Sequence, residues 1–300
     1  MRPITTASGF SGLNTVEDPV RIAFKRGAVS DLQVAVNVTI DQSYRTFKRK
    51  GTTLLQSGAY HSLYCDGGDC FVVQGDTLYQ VAADSTLTVV RSGLRSGARM
   101  AFEQVADRTY YTNGFELGWV QGGISNTWQK GVYTGPDTSR QFEGPFPGNH
   151  LAFFFGKLLV AKDNVLWWSE PYNFGLFNMA ESFVQFNTKI RMVKPVAGGC
   201  FVSTEKSTYF LGGNNPKAWT LMKVTTYPAT EWSVAIDYID GGDIEMDPGL
   251  YAIWASSEGA VLGTPGGQAV NLTKSKVIYP DEATNGFGCL VGYTYIHGMQ

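Results

Sequence analysis

Residues 59–93, AYHSLYCDGGDCFVVQGDTLYQVAADSTLTVVRSG, decide the fold that the sequence predicts. Four segments rich in aromatic and β-branched residues alternate with the breaks DGGD, GD and ADS, whose residues favour turns. The predicted strands are Ala59–Cys65, Cys70–Gln74, Thr77–Ala82 and Leu87–Ser92. Four consecutive strands joined by tight turns form an antiparallel meander, which is the building unit of several all-β folds.

The same unit recurs along the chain. Its second strand has equivalents spaced by 39, 48, 43 and 60 residues, at Phe71, Tyr110, Leu158, Phe201 and Val261. These spacings bracket the length of a propeller blade. The sequence therefore predicts an all-β, β-propeller-like array of about five to six four-stranded antiparallel blades. A β-sandwich of two packed sheets is the alternative, because the same strand signals permit it.

The predicted array makes residues 1–300 a single domain. Its 43% hydrophobic and 13% aromatic residues are enough to fill a large core. Residues 1–57 are expected to supply N-terminal strands that help to close the ring, because closure removes exposed sheet edges. Residues 225–248 are predicted to be an insertion between two blades.

Charge and hydropathy exclude several classes of protein. A formal net charge of −2 argues against a dedicated nucleic-acid-binding protein, which would normally be strongly basic. No apolar run reaches the roughly 18 residues of a membrane span, and the first residues contain no apolar signal segment. We therefore expect synthesis in the cytoplasm and no insertion into a membrane.

Two cysteines and one acidic stretch need an interpretation. Cys65 and Cys70 flank the DGGD turn and can face each other across a hairpin, but synthesis in the cytoplasm favours two reduced thiols over a disulfide. The acidic residues of the 237–247 loop alternate as calcium ligands often do, without the spacing of an EF-hand. They are Asp237, Asp240, Asp243, Glu245 and Asp247. A solvated surface loop is the favoured interpretation.

Catalytic motifs are absent. His61, His150 and His297 lack the spacing of zinc ligands and are interpreted as structural histidines. The chain has neither a nucleophile elbow nor a phosphate-binding loop. We therefore expect no enzymatic activity, no cofactor and no metal. The alternative is a propeller that binds or cleaves carbohydrate with carboxylates near blade edges. Its candidate carboxylates are Glu103, Asp107, Glu170 and Glu181.

Two groups of residues are candidates for contacts with partners. Trp167 and Trp168 are adjacent in a predicted strand, so their side chains point to opposite faces and one can be exposed for assembly. The densest positive region is a candidate for contact with phosphate, DNA or another subunit, and a solvated turn is its alternative. It consists of Arg45, Lys48, Arg49 and Lys50, with Lys25 and Arg26 before it.

A set of short turn and strand signatures is spread along the chain. The N-terminal signatures are Gly12-Leu13-Asn14, Asp18-Pro19, Ala35-Val36-Asn37-Val38 and Arg49-Lys50-Gly51. Those within the array are Tyr111-Thr112-Asn113-Gly114, Ala252-Ile253-Trp254-Ala255, Glu258-Gly259 and Asn271-Leu272-Thr273. Taken in this order, they resemble the virion structural proteins of tailed bacteriophages. The resemblance covers most of the chain and includes no active site.

The resemblance implies a structural subunit of a phage tail or neck. Propeller-like relatives in short-tailed phages build the hub or nozzle below the portal, so it implies a homo-oligomeric ring around the DNA channel. Its partners would be other tail or neck proteins, on the portal or adaptor side and on the fibre side, and its location would be the virion. Contact with DNA would be transient and non-specific, because near-neutral walls let DNA slide.

Overall fold

The computed structural model describes residues 9–18, 21–22, 29–41, 43–240, 246–279, 283–292 and 294–300. Five antiparallel sheets follow one another along the chain and form a five-bladed β-propeller. The predicted all-β propeller is therefore confirmed, with the blade count at the lower end of the expected range. Helix is confined, among the described segments, to the turn Pro216–Ala218 and the pair 21–22, and none of it is long and apolar enough to cross a membrane.

The first two blades reproduce the predicted meander. Blade 1 consists of β5 (Tyr60–Asp66), β6 (Asp69–Gln74), β7 (Thr77–Val81) and β8 (Leu87–Arg91). Blade 2 consists of β9 (Ala101–Val105), β10 (Arg108–Thr112), β11 (Leu117–Gln121) and β12 (Ile124–Asn126). In both blades each strand pairs with the next one in the chain, so the first strand lies at one edge of the sheet and the last at the other.

Blades 3 and 4 follow the same order, with one addition. Blade 3 consists of β13 (His150–Phe154), β14 (Lys157–Lys162), β15 (Val165–Glu170) and β16 (Asn173–Phe177), and β17 (Phe183–Gln185) also pairs with β15. Blade 4 consists of β18 (Ile190–Val196), β19 (Gly199–Thr204), β20 (Thr208–Gly212) and β21 (Thr220–Thr225). Their second strands are almost wholly buried, as expected for strands covered on both faces.

Blade 5 begins inside the stretch that the sequence assigns to an insertion. It consists of β22 (Ala235–Ile239), β23 (Gly249–Ser256), β24 (Gly259–Gly263) and β25 (Ala269–Asn271). The hairpin of β26 (Gly286–Val291) and β27 (Thr294–Met299) follows it. This hairpin contacts β22 and β23, and the Gly286 carbonyl accepts a hydrogen bond of 3.2 Å from Arg99 Nη1 at the start of blade 2.

Glycines make the tightest hairpin turns possible where the backbone must be left-handed. The β5–β6 turn places Gly67 and Gly68 at φ angles of 56° and 94°, a region that glycine enters at little steric cost. The β10–β11 connection likewise places Gly114 at a φ angle of 88°, and Oδ1 of the preceding Asn113 accepts hydrogen bonds from the backbone N–H groups of Phe115 and Glu116. The β5–β6 turn lies at the DGGD break that the sequence predicts.

The core lies between neighbouring blades. Buried apolar residues form four clusters, one at each of the interfaces 1–2, 2–3, 3–4 and 4–5. Phe71 and Tyr111 are fully buried between blades 1 and 2, and Phe201 and Trp254 are fully buried between blades 4 and 5. Consecutive blades are therefore held together by apolar packing between the faces that they turn toward each other.

The N-terminal part of the chain contains two small sheets outside the blades. Strands β1 (Gly9–Leu13) and β2 (Val29–Leu32) pair in parallel, and β3 (Val38–Ile40) and β4 (Thr46–Lys48) pair in antiparallel fashion. The β1–β2 sheet is joined to the segment after blade 5, because Lys276 Nζ lies 2.6 Å from Asp31 Oδ1. Hydrogen bonds from Asn14, Lys276 and Ser11 hold the pKa of Asp31 well below its usual value.

Cys65 and Cys70 form a disulfide, and the prediction of two reduced thiols is corrected. The two residues are directly paired across β5 and β6, with their Cα atoms 4.1 Å apart. The register of the hairpin thus places the two sulfur atoms next to each other. The prediction of reduced thiols rested on synthesis in the cytoplasm and did not take this register into account. Among the other described cysteines, Cys200 is buried and Cys289 is exposed, both as free thiols.

Removing this disulfide is expected to have a modest effect on stability. The bridge closes a short loop, with a sequence separation of 5, and loop-closure entropy for such a loop amounts to about 2 kcal/mol at most. The double variant Cys65→Ser, Cys70→Ser should therefore keep its fold and lose about 2 kcal/mol or less in a urea titration. Treatment of the unaltered chain with a reductant serves as the matched control. A loss well above this value would mean that the turn anchors more than its own hairpin.

Candidate functional site

A pocket of about 530 Å³ lies where the first strands of the blades begin, and we call it the central pocket. Each blade contributes residues at or just before its first strand, and β26 forms part of the wall. Its polar and aromatic lining includes Tyr60, His61, Arg99, His150, Arg191 and Trp232. A concave site of this volume can enclose a small molecule.

The lining of the central pocket is basic although the whole chain is slightly acidic. Arg99, Arg191 and Lys194 all line it, and each keeps part of its surface exposed to solvent. None of the three forms a salt bridge with a carboxylate in the described part of the chain. The pocket therefore concentrates positive charge at one end of the propeller.

His61 is positioned by an irregularity in β5. The register of β5 against β6 shifts between His61 and Tyr64, and Ser62 within this bulge has a φ angle of 57°. Ser62 Oγ lies 2.9 Å from His61 Nδ1 and also accepts a hydrogen bond from the backbone N–H of Met100. Burial, followed by the charge of Arg99, lowers the pKa of His61, so this imidazole is neutral at neutral pH.

His150 belongs to a small charged cluster beside the pocket. Its Nε2 lies 3.3 Å from Glu231 Oε1 without the alignment of a hydrogen bond, and Lys189 Nζ lies 3.7 Å from the same oxygen. Burial raises the pKa of Glu231, but the contact with His150 and the charges of Lys189 and Arg191 outweigh it, so the net shift is downward. Glu231 is therefore ionised at neutral pH and balances its basic neighbours.

The three predicted structural histidines differ in their surroundings. His61 and His150 lie in the central pocket, which the sequence did not indicate. His297 lies on β27, where its Nε2 is 3.2 Å from the hydroxyl of Tyr279 and burial lowers its pKa. No group of three or more potential ligands is assembled into a metal site within the described ranges.

The four carboxylates considered for carbohydrate cleavage do not come together. Glu170 forms two hydrogen bonds with Arg140, at 2.7 and 3.1 Å, and Glu181 is an exposed partner of Asn178 and Lys217. Asp107 lies in an exposed turn and accepts a hydrogen bond from Gln121.

Glu103 has a different environment, in the first strand of blade 2. Surrounding protein raises the pKa of its carboxyl, while the charge of Lys194 and a hydrogen bond from the Phe153 backbone lower it less strongly. The fold thus shifts the protonation of Glu103 toward the neutral form. Such a shift is a property of many general acids.

Trp167 and Trp168 point to opposite faces as predicted, but both faces are covered. Trp168 is 2% exposed and packs between blades 3 and 4. Trp167 is partly buried on the other face, with its ring 5.1 Å from the ring of Phe146. The proposed assembly role of this pair is therefore corrected to a role in packing neighbouring blades, because a blade in the ring has a neighbour on each side.

The predicted basic cluster lies on an exposed segment outside the blades. Arg45 forms a salt bridge of 3.0 Å with Asp41, and Lys48, Arg49 and Lys50 are exposed on and after β4. Lys25 and Arg26 lie outside the described residues. The structure thus leaves the three lysine and arginine side chains after Phe47 accessible to a partner.

The acidic stretch is only partly within the described residues. Asp237 and Asp247 are exposed, Asp240 is exposed at the end of the described segment, and Asp243 and Glu245 lie outside the described residues. Asp237 is a residue of β22 rather than of a loop, because β22 pairs with β23 along Ala235–Ile239. The prediction of a continuous 237–247 loop is corrected at that position.

Comparison with known proteins places the chain among β-propellers. No protein-family model and no curated protein sequence matches it. The BBS1N protein, solved in complex with ARL6DN, is similar to it over 77% of this chain and 71% of that one, with 12% identity and a TM-score of 0.50. This level of identity shows the fold alone.

Enzymes are also among the similar structures. An inactive variant of virginiamycin B lyase from Staphylococcus aureus, solved with Quinupristin, has 13% identity and a TM-score of 0.47 and covers 76% of this chain and 73% of its own. A gluconolactonase from Xanthomonas campestris has 12% identity and a TM-score of 0.44, with coverages of 77% and 80%. They overturn the prediction that the chain is not an enzyme, since propellers of this kind include enzymes, but they assign no activity to it.

Proposed function

We propose that this propeller is a subunit of a ring in the tail or neck of a tailed-phage virion, where it connects neighbouring components around the DNA channel. The support comes from the sequence resemblance and from one structural feature, the exposed segment of residues 33–58, which we call the arm. Its partners would be further copies of the chain and the components on either side of the ring.

The arm exposes apolar side chains that the propeller does not cover. All of its described residues except Ile40 and Asp41 are exposed, and Val34, Val36, Leu54 and Leu55 are each more than 70% exposed. Exposed apolar surface of this kind is characteristic of a segment that is buried in a complex. The arm carries the proposal, because it has the composition of an interface and contributes to none of the blades.

The basic end of the arm suits a partner with acidic or phosphate groups. Lys48, Arg49 and Lys50 stand next to the exposed Phe47, so charge and apolar surface are presented together. Interfaces between subunits combine apolar anchors with a polar rim in the same way. DNA in the channel would meet these cations through its phosphates without reading sequence.

The proposal is tested by asking whether the protein is incorporated into infectious phage particles. The variant Leu54→Asp, Leu55→Asp should fold normally, because both side chains are exposed, and should fail to restore infectious particles in a phage from which the gene has been deleted. We expect at least about a hundredfold loss of titre, since two charges would be buried unpaired at an interface. Electron microscopy of the particles shows whether the tail or neck is incomplete.

The matched control is Ile124→Asp, at an exposed position of β12 on the propeller itself. It introduces the same charge on apolar surface outside the arm and should restore infectivity. Intact, infectious tails made without the chain would contradict the proposal. A gene located far from portal, terminase and tail genes would contradict it as well.

A second candidate is a propeller that binds or cleaves host surface polysaccharide. Glu103 favours it, because the fold raises the pKa of this carboxyl as a general acid requires. Aromatic rings that can stack on sugars line the central pocket, although Glu103 itself is not part of that lining. A glycan array and a reducing-sugar assay would test it. This function would be supported if Trp232→Ala lost glycan binding, or if Glu103→Gln lost turnover and kept binding. The absence of both binding and turnover in the unaltered chain would eliminate it.

A further inference from the structure

The three cations of the central pocket are the first indication of a ligand. Arg99, Arg191 and Lys194 come from blades 2 and 4, which are not neighbours, and line one cavity. Of the two acids near them, Glu231 contacts His150 and Lys189 and also feels the charge of Arg191. The other, Glu103, interacts with Lys194, but burial shifts the pKa of its carboxyl toward the neutral form. Like charges gathered in a concave site repel one another and lower stability unless an anion occupies it. The pocket therefore has the charge of an anion-binding site.

Two strained residues lie at the same pocket. Ser62 and Trp232 have φ angles of 57° and 69°, in the left-handed region that residues with side chains seldom adopt. Both line the pocket, from blade 1 and from the segment before blade 5. Trp232 also places its ring 4.9 Å from that of His150. Backbone strain of this kind is concentrated at ligand-binding sites, where it fixes the direction of side chains.

Unpaired polar atoms form a third, independent observation. The hydroxyl of Tyr60 and Nε2 of His61 are buried without a hydrogen-bond partner among the described residues, and both residues line the pocket. Nε2 of His150, a residue that is only 7% exposed, has just the poorly aligned contact of 3.3 Å with Glu231 Oε1. Buried polar groups are nearly always paired in folded proteins, so these atoms around one cavity indicate a missing polar partner.

The rest of the wall is apolar and aromatic. Tyr64, Phe102, Trp232 and Phe287 line the pocket together with aliphatic side chains. A volume of about 530 Å³ accepts a molecule with a ring or a short chain in addition to its charged group. It is far too small for duplex nucleic acid, whose phosphates would have to bind at the surface.

We propose that the central pocket binds a small organic anion, with its carboxylate or phosphate group held by Arg99, Arg191 and Lys194 and its apolar part packed against the aromatic wall. Arg99 and Arg191 can each present two N–H groups to one anionic group, which favours planar carboxylates and phosphates over halide ions. This site lies apart from the arm, so it is independent of the proposed role in a virion.

Isothermal titration calorimetry of the full chain tests the proposal with three probes of similar size. Phenyl phosphate and benzoate carry the anionic group, and benzyl alcohol is the neutral analogue. We expect the better of the two anions to bind at least about tenfold more tightly than benzyl alcohol, as charge-assisted hydrogen bonds require. The ranking of phosphate against carboxylate identifies the ligand class. Equal binding of anions and alcohol, or no binding of any probe at millimolar concentration, would overturn the proposal.

Variants then locate the site. Arg99→Gln and Arg191→Gln should each weaken binding of the anion about tenfold or more, while Lys223→Gln, an exposed cation on β21 outside the pocket, should leave it unchanged. Arg99→Lys keeps the positive charge and should therefore lose less affinity for the anion than Arg99→Gln. Unchanged binding in both glutamine variants would overturn the assignment to this pocket. Should these variants not fold, the comparison of anion with alcohol on the unaltered chain still decides the question.

Discussion

Replacing Trp254 with alanine is expected to lower the free energy of unfolding by about 3–5 kcal/mol, the range for deleting a large aromatic side chain from a core. Trp254 is fully buried on β23, and its ring lies 5.3 Å from that of Phe201 on β19. It belongs to the apolar cluster that joins blades 4 and 5. The loss should therefore combine a cavity with a weakened contact between two blades. Urea denaturation followed by circular dichroism measures it.

A matched control shows how much stability is lost when an exposed aromatic side chain of the same sheet is removed. Tyr238 lies on β22 in the same sheet and is 63% exposed, so Tyr238→Ala should cost less than about 1 kcal/mol. The loss in the free energy of unfolding for Trp254→Phe should lie between the losses for Trp254→Ala and Tyr238→Ala. Trp254→Phe leaves a smaller cavity and also removes the indole N–H, which has no hydrogen-bond partner among the described residues. A cost of Trp254→Ala similar to that of Tyr238→Ala would contradict the packing of blades 4 and 5.

The architecture could be predicted because it is local. Each blade consists of strands that follow one another in sequence, so turn residues and β-branched runs define it without knowledge of distant contacts. The predicted strand Cys70–Gln74 corresponds to β6, and the predicted Thr77–Ala82 to β7, within one residue at each end. The first strand of blade 5 was missed because β22 stands in a stretch rich in glycine and acidic residues, which is typical of a loop.

The central pocket could not be predicted, because it is assembled from residues far apart in the chain. Arg99, His150 and Arg191 each stand at the start of the first strand of a blade and look unremarkable in the sequence. A weak signal was nevertheless present, since a ring of blades brings these equivalent positions to one end of the axis. Comparing the residues around the start of the first strand in every blade would have brought these side chains together, whereas a search for motifs along the sequence could not.

The burial of Trp168 is a second feature that could not be predicted from the sequence. Alternation along β15 correctly gave the two tryptophans opposite faces, but only the ring geometry determines that both faces are covered. The strand period reports which residues share a face and not what lies against that face. Contacts between blades are therefore the part of the fold that the sequence pattern leaves undetermined.

Replacing Gly288 with alanine should separate the β26–β27 hairpin from blade 5. The added Cβ would overlap the carbonyl oxygen of Ser233 and lie 2.6 Å from its carbonyl carbon, and backbone atoms cannot rotate away as a side chain can. Ser233 is itself buried, and its hydroxyl donates to the Thr230 carbonyl and accepts from the Ala255 N–H, so it cannot shift without breaking these bonds. We expect a loss of about 1–3 kcal/mol, as overpacking typically costs.

Gly266→Ala is the matched control, because a Cβ there meets no atom within 4 Å and the residue lies in an exposed turn. It should be neutral or slightly stabilising, since alanine restricts the unfolded chain. Hydrogen exchange should show faster exchange of the β26 and β27 amides in Gly288→Ala and unchanged exchange in blades 2 to 4. Because Phe287 and Cys289 of the same strand line the central pocket, this variant should also lose whatever affinity the pocket has for anions. Unchanged exchange in the hairpin would mean that β26 is not held against Ser233, and the pocket would then lack the wall that encloses it.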